Sequence, residues 1–227
     1  MSLVDREQAH RRARFARQQA EASQRRREAV AAKQASSIWS QCCPADPDHT
    51  YLQAKGVSPL STRQCGDRLV LPLTDLQSQQ ITSLQYIWPD GTKKLLPGGK
   101  KRGCVIFVAG DIEQARRVLV AEGWATGATL SDMDPDALVL SAIDAGNLYP
   151  VATEARRAWP DRKVVICADA DPVGKAKGRA AAIAAGALIA VPEFPEGTEG
   201  SDWNDYVNAG LAEPKEFNSS RNGEGRE

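Results

Sequence analysis

Three carboxylates of this 227-residue sequence stand where they could do chemistry. Glu122 directly follows the apolar run RVLVA, and Asp169 and Asp171 follow the similar run KVVICA. Continuous apolar runs are typical of strands that are covered on both faces, and parallel strands place their carboxyl ends at one edge of a sheet. If the two strands are neighbours, alternation along extended chain can turn both aspartates toward Glu122. We therefore expect the three carboxylates to share a small volume.

Carboxylates held this close repel each other. At about 4 Å and an effective dielectric constant near 20, each pair costs roughly 4 kcal/mol unless a cation is bound or some groups are protonated. Oxygen ligands without histidine or cysteine favour Mg²⁺, or Mn²⁺ in its place, and protein-bound Mg²⁺ usually also contacts substrate phosphates. The expected chemistry is therefore at phosphate. One or two metal ions, or one metal ion with a carboxylate as general base, could activate a hydroxyl group.

The residues after the paired aspartates suit phosphate binding. Gly174 lets the chain turn closely into a following helix, whose free N–H groups attract anions, and Lys175 and Lys177 add positive charge. The structural alternative is that Asp169 and Asp171 only form a loop and a helix N-cap.

A second cationic segment is GGKKRG at residues 98–103, in which Lys100, Lys101 and Arg102 are adjacent. Contact with phosphate and a solvated hairpin tip are equally supported interpretations of this segment.

Four polar residues near the ends of other strands are candidates for a supporting role around the metal or the substrate. They are Asp144, Asn147, Asp202 and Asp205. Asp144 and Asn147 could contact a nucleotide, although a strand-to-helix turn with an Asn cap explains them nearly as well. Asp202 is well placed to cap the helix that follows it, and a supporting role for it or for Asp205 stays open.

Alternating strand and helix patterns predict the framework that positions these groups. From Arg116 onward the strand candidates RRVLVAEG, DALVLSAID, KVVICADAD and ALIAVPEF alternate with helices that begin near Trp124, Asn147, Val173 and Asp202. This pattern predicts a Rossmann-like parallel sheet with right-handed crossovers. Short strand-like pieces over residues 66–110, with PDGT as a hairpin turn, predict a small antiparallel subdomain before it.

The first part of the chain is basic and lacks glycine and proline from Asp5 to about Lys33. Its alanine, arginine, glutamine and glutamate residues predict a helix that is exposed or loosely docked. Such a helix could follow a nucleic-acid backbone or be a solvated linker.

Composition narrows the classes of protein that fit. The sequence shows neither an apolar run of about 18 residues nor a secretory pattern, so we expect a cytoplasmic protein that does not contact a membrane. Its five cysteines are scattered without C-x-x-C spacing, which argues against a zinc ribbon.

Taken together, these motifs resemble the Toprim domain, the catalytic module of bacterial-type primases, of type IA and II topoisomerases and of some nucleases. The pattern is Glu122-Gly123 after one strand and Asp169-Ala170-Asp171 after a later one, with Gly174 and Lys175 downstream. EGWATG at residues 122–127 resembles the EGYATA-type motif of plasmid and phage primases, often part of primase-helicase proteins of mobile elements. YLQAKGV, LVLPLTD, GGKKRGC and AIDAGNL are similar to that group as well, so the resemblance covers nearly all of residues 50–207.

The resemblance implies a metal-dependent nucleotidyl transfer. In it, Glu122 is general base or metal ligand, Asp169 and Asp171 hold Mg²⁺ or Mn²⁺, and Gly123 lies at the substrate. The implied protein is a DNA primase that makes short RNA primers on single-stranded DNA from ribonucleoside triphosphates in plasmid, phage or mobile-element replication. A Toprim nuclease that cleaves DNA, and a non-catalytic nucleic-acid-binding module of a replication protein, are the alternatives. A replicative helicase partner would lie on another chain or beyond this segment, since no P-loop pattern is present.

We accordingly expect an α/β fold in four parts. These are a basic N-terminal helix or linker at residues 1–36, a small α+β subdomain with antiparallel strands at residues 37–110, a Toprim catalytic domain with a parallel sheet at residues 111–211, and a polar tail or linker at residues 212–227.

Overall fold

The computed structural model describes residues 3–212. The predicted polar tail at residues 212–227 lies outside this range except for its first residue. The helices are α1 (Leu3–Gln41), α2 (Thr50–Lys55), α3 (Trp124–Met133), α4 (Leu148–Ala158), α5 (Pro172–Ala185) and α6 (Trp203–Asn208). The strands are β1 (Cys43–Pro44), β2 (Arg63–Cys65), β3 (Arg68–Asp75), β4 (Ile81–Ile87), β5 (Lys93–Leu95), β6 (Cys104–Ala109), β7 (Arg117–Ala121), β8 (Leu138–Ser141), β9 (Lys163–Cys167) and β10 (Leu188–Ala190).

Helix α1 is longer than the sequence pattern predicted. It runs unbroken from Leu3 to Gln41, because no glycine or proline interrupts it. Ala31 and Ala35 are 3% and 0% exposed, and Ile38 and Trp39 pack beside Ala35 against side chains of β3 and β4. The last third of α1 is therefore docked on the body of the protein, whereas residues 10–27 are exposed.

The predicted parallel sheet is present. Strands β10, β9, β7 and β8 lie side by side and parallel, and β6 adds an antiparallel strand beyond β8. The register places Ala121 of β7 opposite Cys167 of β9 and Ser141 of β8. The residues that follow β7 and β9 consequently leave the sheet at the same edge.

The sheet is covered on both faces, which explains its continuous apolar strands. Val118 and Val120 of β7 face a cluster that includes side chains of α4 and α5, whereas Leu119 and Ala121 face a cluster that includes Trp124 of α3. This alternation is the two-residue period of a strand that has buried neighbours on each side.

The antiparallel strands before the parallel sheet are hydrogen-bonded to it. Strand β3 pairs with β4 and β2, and β4 and β5 form the predicted hairpin across the PDGT turn. Strand β6 pairs with β3 at Thr74–Val105 and with β8 at Ile106–Ser141. One strand is thus common to the two parts, and the boundary predicted at residues 110 and 111 falls just after it.

Among the described residues, no helix has the length and apolar content needed to cross a bilayer.

Candidate active site

Glu122 and Asp169 lie at one edge of the parallel sheet. Glu122 directly follows β7, and Asp169 comes two residues after the end of the adjacent strand β9. Glu122 Oε2 and Asp169 Oδ1 are both buried, and neither accepts a hydrogen bond within the described part of the chain. Because buried polar atoms in proteins are normally satisfied, these two oxygens are open ligand positions.

The surroundings of both carboxyl groups disfavour their charged forms. Burial, followed by the charges of Glu122, Asp202 and Asp171, raises the pKa of Asp169 to about 8. Burial also raises the pKa of Glu122, again with a contribution from the charge of Asp171. Such a pair retains a proton near neutral pH unless a cation replaces it.

Asp171 is occupied with a structural task. Its Oδ1 accepts hydrogen bonds from the N–H groups of Val173 at 2.8 Å and Gly174 at 3.0 Å, so it is the N-cap of α5. A Cβ at Gly174 would lie 2.9 Å from both the Cβ and the carbonyl oxygen of Asp169. Gly174 is therefore needed for the close approach of α5 to the Asp169 loop.

Asp171 lies close enough for its charge to raise the pKa of both Glu122 and Asp169. Within residues 3–212, no group of three or more histidine, cysteine, aspartate or glutamate side chains is arranged to hold a metal ion. One oxygen of Asp171 is engaged by the N-cap bonds of α5, and a metal site that uses all three carboxylates stays a prediction. The pair of Glu122 and Asp169 still fits a hard divalent cation, since Mg²⁺ usually takes one or two carboxylates and completes its shell with water and phosphate oxygens.

Asp202 adds a further carboxylate near the pair. Its Oδ1 accepts from the N–H of Asp205 at 2.9 Å, which makes it the predicted N-cap of α6. Its Oδ2 lies 3.4 Å from the hydroxyl oxygen of Thr126. Asp205 accepts from the N–H of Ser201 at 3.0 Å and lies 3.9 Å from the ammonium of Lys55.

Two residues that the sequence did not single out face this site from the antiparallel part of the chain. Lys93 of β5 is 5.8 Å from the ring centre of Tyr51 in α2. Desolvation and the charge of Lys55 lower the pKa of Lys93, whereas the negative charges of Asp202, Asp169 and Glu122 act in the opposite direction. The ammonium group of Lys93 thus interacts electrostatically with the carboxylates of the site. The only sequence signal of Lys93 is its place directly after the hairpin turn PDGT, which by itself points to no chemistry.

Tyr51 is buried with a hydroxyl group that has no hydrogen-bond partner within the described residues. Burial and the charge of Asp202 raise the pKa of Tyr51 to about 12. The phenol is therefore a neutral group beside the carboxylates that can still donate a hydrogen bond.

Two lysines of the GGKKRG segment are engaged in ion pairs. Lys100 contacts Asp75 and Lys101 contacts Asp144, each at 2.6 Å, while Arg102 is exposed. Phosphate binding by this segment stays a prediction, and it requires that Lys100 and Lys101 share or exchange these partners. Lys175 and Lys177 are exposed on α5.

Asn147 supports this segment from below. It is 2% exposed, and its Nδ2 donates to the carbonyl groups of Lys101, Cys104 and Ala142 at 3.0–3.2 Å. Its Oδ1 accepts from the N–H of Gly103 at 2.9 Å. One interpretation of the sequence made the Asn147 side chain a cap of α4. The side chain makes no such hydrogen bond. Gly123 stands at the start of α3, where a Cβ would have ordinary contacts.

The part of the chain that contains Glu122, Asp169 and Asp171 is similar to known proteins. Residues 117–213 match the model of the Toprim domain. The chain is 34% identical over 165 residues to one "DNA primase TraC" of Escherichia coli and 33% identical over 195 residues to another. These alignments cover 66% and 78% of this chain but only 11% and 18% of the relatives. The fold is similar to the primase fragment of the bacteriophage T7 primase-helicase protein, with a TM-score of 0.53 and 16% identity over 70% of each chain.

Proposed function

Residues 117–213 form a Toprim domain, and from that premise we propose that this chain carries the catalytic part of a DNA primase. It would join ribonucleoside triphosphates into short RNA primers on single-stranded DNA in the replication of a plasmid, phage or other mobile element. Similarity to two TraC primases supports the reaction and its plasmid setting. The observation that carries the proposal is the pair of open, buried carboxylate oxygens on Glu122 and Asp169 at the carboxyl edge of neighbouring parallel strands.

Toprim domains bind divalent metal ions. We propose that Glu122 Oε2 and Asp169 Oδ1 hold a Mg²⁺ or Mn²⁺ ion, which would neutralise charge on the reacting phosphate. Asp171 fixes the loop through its N-cap bonds, so its contribution to the ion would come through its remaining oxygen or a water molecule. Asp202 would add negative charge near the ion. Asp205 would keep Asp202 in position, because its backbone N–H donates a hydrogen bond to Asp202 Oδ1.

Glu122 is also the proposed general base. Its raised pKa brings it closer to neutral pH, where accepting a proton from the attacking primer hydroxyl is most effective. Cations around the site would neutralise the triphosphate. They are Lys93, Lys100, Lys101, Arg102, Lys175 and Lys177. Gly123 would leave room for the approaching phosphate, whereas Gly174 lets α5 lie close to the Asp169 loop. Asp144 and Asn147 would hold the loop of residues 98–103 in place.

A replicative helicase is the further proposed partner. The fold resembles the primase fragment of a primase-helicase protein, in which the two activities belong to one protein. We propose that this activity takes place in the cytoplasm, where replication occurs.

The test is incorporation of labelled ribonucleotides on single-stranded DNA with Mg²⁺ or Mn²⁺. Glu122→Gln and Asp169→Asn should each lower the rate by about 10²-fold or more, because each removes a proposed metal ligand or base. Exposed acidic residues provide matched controls, and Asp161→Asn and Glu193→Gln should keep the wild-type rate. Metal binding measured by calorimetry should fall in the two site variants. Primer synthesis at the wild-type rate by both variants would show that Glu122 and Asp169 are not the catalytic site.

The same reaction without nucleotides examines the alternatives. Metal-dependent loss of the full-length strand would make the protein a nuclease. Strand binding that is insensitive to metal, with neither synthesis nor cleavage, would leave the non-catalytic binding module.

A further inference from the structure

The exposed part of α1 carries an unusual concentration of cations. Residues 10–27, here called the basic arm, contain seven arginines and one glutamate, and all are exposed. At about 1.5 Å per residue, the arm extends roughly 27 Å. Arg17 forms an ion pair with Glu21 at 2.9 Å, which leaves a large excess of positive charge along the arm. A surface of this kind attracts a polyanion.

The distribution of these cations separates the possible polyanions. A helix that lies on a membrane surface needs a broad apolar face as well as its cations. The arm offers only Phe15 as a large apolar side chain, and its arginines are spread around the helix at positions 11, 12, 14, 17, 25, 26 and 27. It therefore fits a flexible phosphate backbone, which can wind around a charged rod, better than a flat lipid surface.

The arm is held in a defined position on the body. Helix α1 continues without a break into the segment where Ala31 and Ala35 are buried. Where the arm meets the body there is a groove of about 500 Å³. Arg26 and Arg27 stand on one side of it, and Val30 and Pro97 provide an apolar lining. Cations beside an apolar surface suit a nucleotide, whose phosphate is charged and whose base has an apolar face.

A second groove also involves α1 and the segment of residues 98–103. Gly98 of the first groove begins this segment, and Glu28 of α1 lies with Lys100 and Arg102 around the second groove of about 430 Å³. In the same segment, Lys101 is paired with Asp144, which follows β8 at the edge of the sheet where Glu122 follows β7. The segment of residues 98–103 thus has contacts both with the groove at the arm and with the carboxyl edge of the sheet.

We propose that the basic arm and the groove lined by Arg26, Arg27, Val30 and Pro97 bind single-stranded DNA through its phosphates. The strand is held without regard to sequence and is fed past residues 98–103. This inference deepens the proposed function, and it rests on that function in identifying the bound strand as the template.

Binding of a fluorescent single-stranded oligonucleotide, measured by anisotropy without metal or nucleotides, tests the proposal. Arg26→Gln combined with Arg27→Gln should weaken binding and lower the slope of log K against log salt concentration by about 1.4, because each phosphate contact contributes about 0.7. Arg116→Gln combined with Arg157→Gln is the matched control. It removes two exposed cations elsewhere and should leave affinity and slope unchanged. Glutamine preserves helix propensity, so circular dichroism should show equal helix content.

The outcomes separate this proposal from the proposed function. If the arm variant binds the oligonucleotide with the affinity and salt slope of the wild type, the arm is not a binding surface. Binding of anionic vesicles, with no binding of DNA, would also overturn the proposal. If the wild type makes no primers but its DNA binding depends on Arg26 and Arg27, the arm proposal is supported and the primase proposal fails.

Discussion

Asp169 is a carboxyl group that the surrounding protein keeps protonated in the absence of a cation. Burial and the neighbouring negative charges raise its pKa from 3.8 to about 8. Between these two values the folded protein holds a proton that the unfolded chain has released. The contribution of Asp169 to the free energy of unfolding of the metal-free protein therefore falls as the pH rises from about 4 to about 8.

Asp169→Asn removes this pH dependence because asparagine does not ionise. One pKa unit corresponds to about 1.4 kcal/mol and water reaches part of the site, so we expect the variant to be more stable than the wild type by about 1–3 kcal/mol at pH 8. Near pH 4 the two proteins should be about equally stable. Urea unfolding in the presence of a chelator measures the free energy of unfolding of both proteins at the two pH values. Equal stabilities at pH 8 would show that the folded protein does not raise the pKa of Asp169.

The same charge relation makes metal binding dependent on pH. A bound cation replaces the shared proton, so affinity for Mn²⁺ should increase as the pH rises from 6 to 8. Calorimetry in buffers of different ionisation enthalpy would reveal the released proton. A metal affinity that does not change over this range would place the ion away from Asp169.

At the level of elements, Asn147 ties the end of β8 to the loop before β6. Its four hydrogen bonds join residues 101–104 to Ala142, and its side chain is 2% exposed. A single buried amide thus positions the segment that carries Lys101 and Arg102. A substitution of Asn147 should therefore disturb the position of residues 101–104 more than the positions of Glu122 and Asp169.

Asn147→Ala leaves one buried N–H and three carbonyl groups without their partner. Since an unsatisfied buried polar group costs about 1–3 kcal/mol, we expect a loss of about 2–4 kcal/mol in the free energy of unfolding. Asn208→Ala is the control, because Asn208 is exposed and makes two longer hydrogen bonds of 3.3 Å. It should cost less than about 1 kcal/mol. Equal losses in the two variants would contradict a special role for Asn147.

At the level of the whole molecule, α1 has two parts with different relations to the body. Residues 10–27 are exposed, whereas the segment from Ala31 to Trp39 packs on β3 and β4. Arg63 strengthens this contact by donating to the carbonyl oxygen of Trp39 at 2.6 Å and stacking on its ring at 4.5 Å. The second part thus serves stability, whereas the first part is the proposed binding arm.

Two deletions separate these contributions. Removal of residues 1–27 should change the free energy of unfolding by less than about 1 kcal/mol, since few buried contacts are lost. Removal of residues 1–41 exposes the apolar side chains of β4 and should cost about 3 kcal/mol or more. Thermal unfolding followed by circular dichroism measures both. A large loss from the shorter deletion would show that the arm itself supports the fold.

Much of the fold could be predicted because its signals are local. Continuous apolar runs predicted β7, β8 and β9, and the PDGT turn predicted the β4–β5 hairpin. The placement of Glu122 and Asp169 at one edge followed from general rules for parallel sheets, and the observed pairing of β7 with β9 meets the condition on which it depended. The helix caps of Asp171 and Asp202 were also available from residue type and position.

The composition of the site could not be completed from the sequence. Lys93 and Tyr51 interact electrostatically with carboxylates that come much later in the sequence, Lys93 with Glu122 and Asp169, and both residues with Asp202. The ion pairs of Lys100 and Lys101 likewise join residues 25 and 43 positions apart. Contacts over such distances depend on strand order, which local residue patterns do not encode.

The sequence by itself determined the chemistry that this protein offers, through two carboxylate motifs at strand ends and a set of cations. The tertiary structure decided which carboxylate oxygens stay open, since Asp171 caps α5 with one oxygen while Glu122 Oε2 and Asp169 Oδ1 have no hydrogen-bond partner among the described residues. The physical reason is that burial and hydrogen-bond satisfaction are properties of the packed chain.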